Sequence, residues 1–186
     1  MRRKRKPTIP QRERIFIGCE GLSELGYIQW LRMISDANKG YIHPISENLK
    51  GGSLVDMVEK AQVIFLRKNK EVPIKHKFLI LDLDRGHNEP EELMKAKEKI
   101  EEYGFTVIWQ SPNHEGFLLT HCEDFNAGVP MNKGDVDRLL LRHKPNYSKG
   151  MPKDKYNKAF NSVSLISAAE KNEELAKLLQ VMKIIE

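Results

Sequence analysis

Two hydrophobic patterns alternate along this chain: short unbroken apolar runs, and longer stretches in which apolar residues recur every third or fourth position. Arg14–Cys19 (RIFIGC), Phe78–Leu81 leading into Asp82, and Phe105–Gln110 (FTVIWQ) are short, β-branched and aromatic, the pattern of buried strands. Tyr41–Ser46 is a weaker run of the same kind. After the first run, Leu22, Leu25, Tyr27, Ile28, Leu31 and Ile34 recur at helical spacing, so Leu22–Ala37 is expected to be a helix with one apolar stripe. Gly51-Gly52-Ser53 opens a second helix through Leu54, Val55, Val58, Ala61, Ile64 and Phe65, with Ser53 and Asp56 in the positions of a capping box. A third starts at the Asn88-Glu89-Pro90-Glu91 cap, runs to Tyr103 and stops at Gly104. Ser111-Pro112-Asn113 then turns the chain into a helix from His114 to His121.

Strands alternating with helices imply an α/β fold, a mostly parallel sheet with right-handed crossovers and helices on both faces. Beyond Ala127 the strand pattern ends. Val136–His143 is a short helix, Lys144–Lys153 a loop rich in Pro, Gly, Asn and Lys, and Tyr156–Glu170 and Glu173–Ile185 are helical. The expected organisation is a basic tail over 1–13, an α/β core over 14–126 and a basic loop with a helical C-terminal appendage over 127–186.

In such folds ligands gather at the carboxyl edge of the sheet. Glu20 follows the first strand, Asp82 and Asp84 follow the third, and His114 and Glu115 follow the fourth, so the fold collects acids that the sequence scatters. Asp82 and Asp84 lie two apart in an extended segment and present two carboxylates to the same side, a donor set for a hard cation such as Mg2+ or Mn2+. An idle, solvated acidic turn is the alternative, since Asp is frequent where strands end. His114-Glu115 resembles the start of a zincin HExxH, but position 118 is Leu. Gly51-Gly52 lacks the Lys-Ser/Thr of a phosphate-cradling loop, which favours a capped helix start. His121 reads equally as a core histidine or a site residue.

Composition narrows the class. With 186 residues and 40% hydrophobic content, the chain supports one domain with a real core. Its two cysteines, Cys19 and Cys122, indicate neither a disulfide framework nor a zinc cluster, and suit a reducing, cytoplasmic setting. No apolar segment approaches the roughly 18 residues of a membrane span, so no membrane partner is expected. The net charge of +5 is unevenly spread: residues 1–14 hold seven Lys/Arg against one Glu, and residues 133–158 hold eight Lys/Arg against three Asp. An acidic middle between basic segments suits a cation site with arms for a polyanion, nucleic acid above all.

A glutamate after the first strand and DxD after a later one resemble the Toprim pattern, here Cys19–Gly21 (CEG) and Asp82–Asp84 (DLD). More narrowly, the chain resembles the RloB-like family of restriction-linked and abortive-infection proteins through its basic start, IFIGCEGLSELGYIQWL, FLILDLDRG, SPNHEGFLLTH and LLLRHKPNYSKG in order. The resemblance spans roughly residues 12–150. Where the family usually has an aromatic before the glutamate matching Glu115 and Trp or a similar residue after it, this chain has His114 and Gly116-Phe117. The resemblance implies a Toprim-like, Mg2+-dependent nuclease cleaving DNA or RNA in prokaryotic anti-phage defence. Asp82 and Asp84 would hold metal, and Glu20 would be a metal ligand or proton-transfer group. Glu115, His121, Tyr147 and Lys149 would be further site residues, and an ATPase encoded nearby a candidate partner. Two other readings stay open: a non-catalytic subunit that binds nucleic acid or an ATPase, and a haloacid-dehalogenase-like phosphatase. That phosphatase family places its DxD motif at the first strand, not the third.

Overall fold

The computed structural model describes residues 12–39, 41–83, 89–125, 128–130 and 132–186. Strand β1 (Glu13–Cys19) leads into helix α1 (Leu22–Ala37), then β2 (Ile42–Asn48), α2 (Leu54–Glu71), β3 (His76–Asp82), α3 (Pro90–Tyr103), β4 (Thr106–Gln110) and the short α4 (His114–Leu119). Four helices follow: α5 (Lys133–His143), α6 (Lys153–Ala159), α7 (Ser162–Lys171) and α8 (Glu173–Val181). The strands form one sheet in the order β2-β1-β3-β4, and all three pairings are parallel. The expected α/β class is therefore the observed one.

Strand residues two apart share a face, and both faces are buried here. Ile15, Ile17, Ile80 and Ile108 point to one side, where α1 supplies Tyr27 and Trp30, the later helices supply Phe117, Leu140, Tyr156, Leu165 and Leu178, and the break after α6 supplies Phe160. Phe16, Leu79, Leu81 and Val107 point to the other, against Leu54, Met57, Val58 and Phe65 of α2 and Ala96 of α3. That is why the strands read as unbroken apolar runs. Residues beyond 132 thus cover one sheet face and share its core. Gly18 packs tightly among neighbouring leucines: a Cβ there would lie 2.7 Å from Leu79 Cδ2 and 3.2 Å from Leu49 Cδ1, so both side chains would have to shift.

Most boundaries move by a residue or two, but one expected element divides. Tyr156–Glu170 is two helices, because Phe160 adopts extended backbone and Asn161 caps α7, its side chain accepting from the Ser164 N–H at 2.9 Å. The break turns the Phe160 ring into the core beside Trp30. The final helix ends at Val181 rather than Ile185, with Lys183 at a positive φ of 58°. Ser53 caps α2 as expected, accepting from the Asp56 N–H at 3.1 Å, while Asn88 lies outside the described residues. Cys19 and Cys122 are free and buried. Among the described residues, no helix is long and apolar enough to cross a membrane.

Candidate functional site

Strand order reverses direction at β1 and β3: the chain steps outward from β1 to β2, then returns past β1 to β3 and β4. Open parallel sheets bind their ligands at the carboxyl end of such a switch point. Glu20 leaves β1 there, and its N–H donates to the Ile80 carbonyl at 3.1 Å, extending the ladder by one bond. Its side chain turns toward β3, where Oε2 accepts from the Asp82 backbone N–H at 3.0 Å. Glu20 is buried and Asp82 half-buried. The structure brings these two acidic residues together across adjacent strand ends, and the pairing of β3 beside β1 is the reason.

Asp84, Arg85, Gly86 and Asn88 lie outside the described residues. Among the described residues, no group of three or more His, Cys, Asp or Glu side chains is arranged to hold a metal ion. What Glu20 and Asp82 offer is an all-oxygen pair, which suits a hard cation that keeps several waters better than zinc, with its preference for nitrogen and sulfur.

A second acidic group sits one helical turn beyond Glu20. Glu24 closes the first turn of α1, its Oε2 accepting from the Gly21 N–H at 2.9 Å. Burial raises its pKa, opposed by its backbone hydrogen bonds, and the charges of Glu20 and Glu115 raise it further. Nothing in the sequence marks Glu24 apart from its spacing of four from Glu20 and its place in the first turn of a helix. Its burial comes from a distant element: Oε1 lies 3.6 Å from Nδ1 of the buried His114, at the start of α4. His114 is neutral above about pH 3, because desolvation and the nearby Lys149 charge both lower its pKa to about 3. The contact is therefore not an ion pair at neutral pH. Gln110 Nε2 lies 2.9 Å from the same Nδ1, and Tyr156 Oη 3.4 Å from Nε2.

Glu115, Tyr147 and Lys149 also come together. The Tyr147 hydroxyl donates to Glu115 Oε1 at 3.1 Å, and Lys149 Nζ donates to Oε2 at 3.4 Å. Glu115 is buried, whereas the Lys149 side chain is 77% exposed, so the ammonium reaches the carboxylate from the surface rather than as a buried partner. Burial, then the Glu115 charge, pushes the Tyr147 hydroxyl's pKa far up and keeps it a donor. His121 is placed elsewhere. It is fully buried in the core, with Nε2 2.9 Å from the Tyr27 hydroxyl and Nδ1 3.2 Å from the Phe117 carbonyl. Both ring nitrogens are occupied by the protein.

Compared with known families, residues 15–183 match the model described as RloB-like protein. No curated protein matches, and no solved structure does.

Proposed function

The chain belongs to the RloB-like protein family, and from that premise we propose that it is a Toprim-like, Mg2+-dependent phosphodiesterase that cleaves DNA or RNA in prokaryotic anti-phage defence. Family membership is consistent with a defence-associated protein. The observation that supports the chemistry is the meeting of Glu20 and Asp82 at the switch point, the Asp82 N–H donating to Glu20 Oε2 at 3.0 Å.

Glu20 and Asp82 would hold the cation, with Asp84 as the third oxygen ligand on the same segment. When bound, the ion would neutralise non-bridging phosphate oxygens and orient water for attack. Glu20 keeps one oxygen on the Asp82 N–H, which fixes the direction of the other. Glu24, with its raised pKa, stands beside Glu20 as a proton reservoir. His121 takes no part in this scheme, since both its nitrogens are already engaged.

Purified protein should cleave a panel of single- and double-stranded DNA and RNA in Mg2+ or Mn2+ and not in EDTA, and Glu20→Gln should abolish cleavage without lowering the melting temperature by more than a few degrees. Cleavage that survives EDTA or Glu20→Gln would overturn the reading. The non-catalytic alternative draws on the same observation that no three-ligand group is assembled among the described residues. It predicts nucleic-acid binding with no calorimetric binding of Mn2+ at the Glu20–Asp82 edge.

A further inference from the structure

A cavity of about 340 Å³ opens above Glu115, lined by Asp137, Leu140, Leu141, Tyr147 and Lys149. Its size suits a small ligand. Apart from Asp137 and Ser148 the walls are apolar, buried Leu140, half-exposed Leu141 and the ring of Tyr147, surfaces that suit a flat aromatic group. The floor is not. Glu115 is 3% exposed, and each of its carboxylate oxygens already takes one hydrogen bond from the protein, leaving a further lone pair on each. Across the floor, Lys149 Nζ is a donor, Oε2 an acceptor and Oε1 an acceptor.

We propose that this cavity reads an unstacked guanine base. The Watson–Crick edge of guanine presents O6 as acceptor, then N1–H and the N2 amino group as donors, the complement of that floor in the same order. Uracil and thymine would set a carbonyl oxygen against Oε1. Adenine and cytosine would set an amino group against the Lys149 ammonium and a ring-nitrogen lone pair against Oε2. Only guanine satisfies all three positions, and a mismatched base sets an acceptor against a carboxylate oxygen or a donor against the ammonium, which is where discrimination arises. Insertion also excludes water from the exposed Lys149 ammonium and strengthens its hydrogen bonds.

Glu115 opens α4 directly after the carboxyl end of β4, so the cavity lies on the same sheet edge as Glu20 and Asp82. The inference deepens the nucleic-acid reading above, on which it rests for its biological meaning, by naming the substrate: a single-stranded segment, or a flipped nucleotide, carrying guanine.

The test is calorimetric titration of the full chain with GMP, IMP, AMP, UMP and CMP in EDTA. GMP should bind about ten-fold or more tighter than each of the others, one missing hydrogen bond to a charged group being worth about that factor. IMP is the sharpest comparison, since it lacks only the N2 amino group that faces Oε1. Glu115→Gln should lower GMP affinity at least about ten-fold. If that variant fails to fold, Lys149→Ala carries the same test, because its side chain is 77% exposed. Equal affinities for the five nucleotides, or no GMP binding at millimolar concentration, would overturn the proposal. Guanine preference without metal-dependent cleavage would keep the pocket and remove the phosphodiesterase, and cleavage with neither guanine binding nor preference for cutting beside guanine would do the reverse.

Discussion

A histidine enclosed on every side is a weaker base than one in water, and His114 and His121 both have pKa values lowered to about 3 from 6.5, chiefly by desolvation. Between those values the unfolded chain binds protons that the folded one refuses, so each histidine makes stability fall as pH drops from about 6.5 toward 3. Glu24 works in the opposite direction, its raised pKa favouring the fold as pH falls toward the ordinary carboxyl range. Urea unfolding at pH 7 and pH 4.5 should show the wild type losing about 2–3 kcal/mol more than His121→Gln, the share of a single histidine over that interval. An equal loss in both proteins would contradict the buried, neutral assignment. Asp82→Asn tests the metal: Mg2+ should raise the melting temperature of the wild type and leave that of the variant unchanged, because only a ligand bound to the native state stabilises it. Glu20 and Asp82 were legible in the sequence because each ends an apolar strand, and strand ends fix position. Glu24 was not legible, because an acid in a first helical turn reads as a solvated cap until His114, 90 residues later, closes over it.

At the scale of elements, periodicity located the strands and the long helices but not the interruption at Phe160. A polar Asn161 can sit within a helix or cap one, and the choice is made by the pocket beside Trp30 that receives the Phe160 ring. The turn into α4 depends on a close approach that periodicity does not record. Gly116 packs directly onto the preceding turn, where a Cβ would collide with the Ser111 carbonyl oxygen and lie 2.6 Å from Pro112 Cδ. Backbone and ring cannot move aside as a flexible side chain would. Gly116→Ala should therefore cost at least about 1–3 kcal/mol, read from urea midpoints, despite alanine's better helix propensity. It should also lower GMP affinity, since α4 carries Glu115. Unchanged or increased stability would show that the turn has room to relax.

For the whole molecule, charge separates into basic segments and an acidic remainder, and the basic N-terminal residues 1–11 lie outside the described structure. Deleting Met1–Lys6 removes five Lys/Arg, and should weaken nucleic-acid binding and flatten its salt dependence, by a slope of about 0.9 for each phosphate no longer neutralised. The same affinity and slope after deletion would leave residues 133–158 as the basic contact surface. The order of the strands was not legible in the sequence, since apolar runs state that strands are buried but not which are neighbours. The sheet's two covered faces also carry one tryptophan each. Trp30 is buried on the face shared with the C-terminal helices, stacked 5.5 Å from Tyr156 with its indole N–H donating to Asn157 at 2.6 Å. Trp109 is half-buried on the face covered by α2 and α3. Trp30→Phe and Trp109→Phe thus each leave a single fluorophore reporting from one side of the sheet. Their emission should shift to the red at the same denaturant concentration if the four strands hold both layers in one cooperative transition, and at different concentrations if the C-terminal layer peels away first.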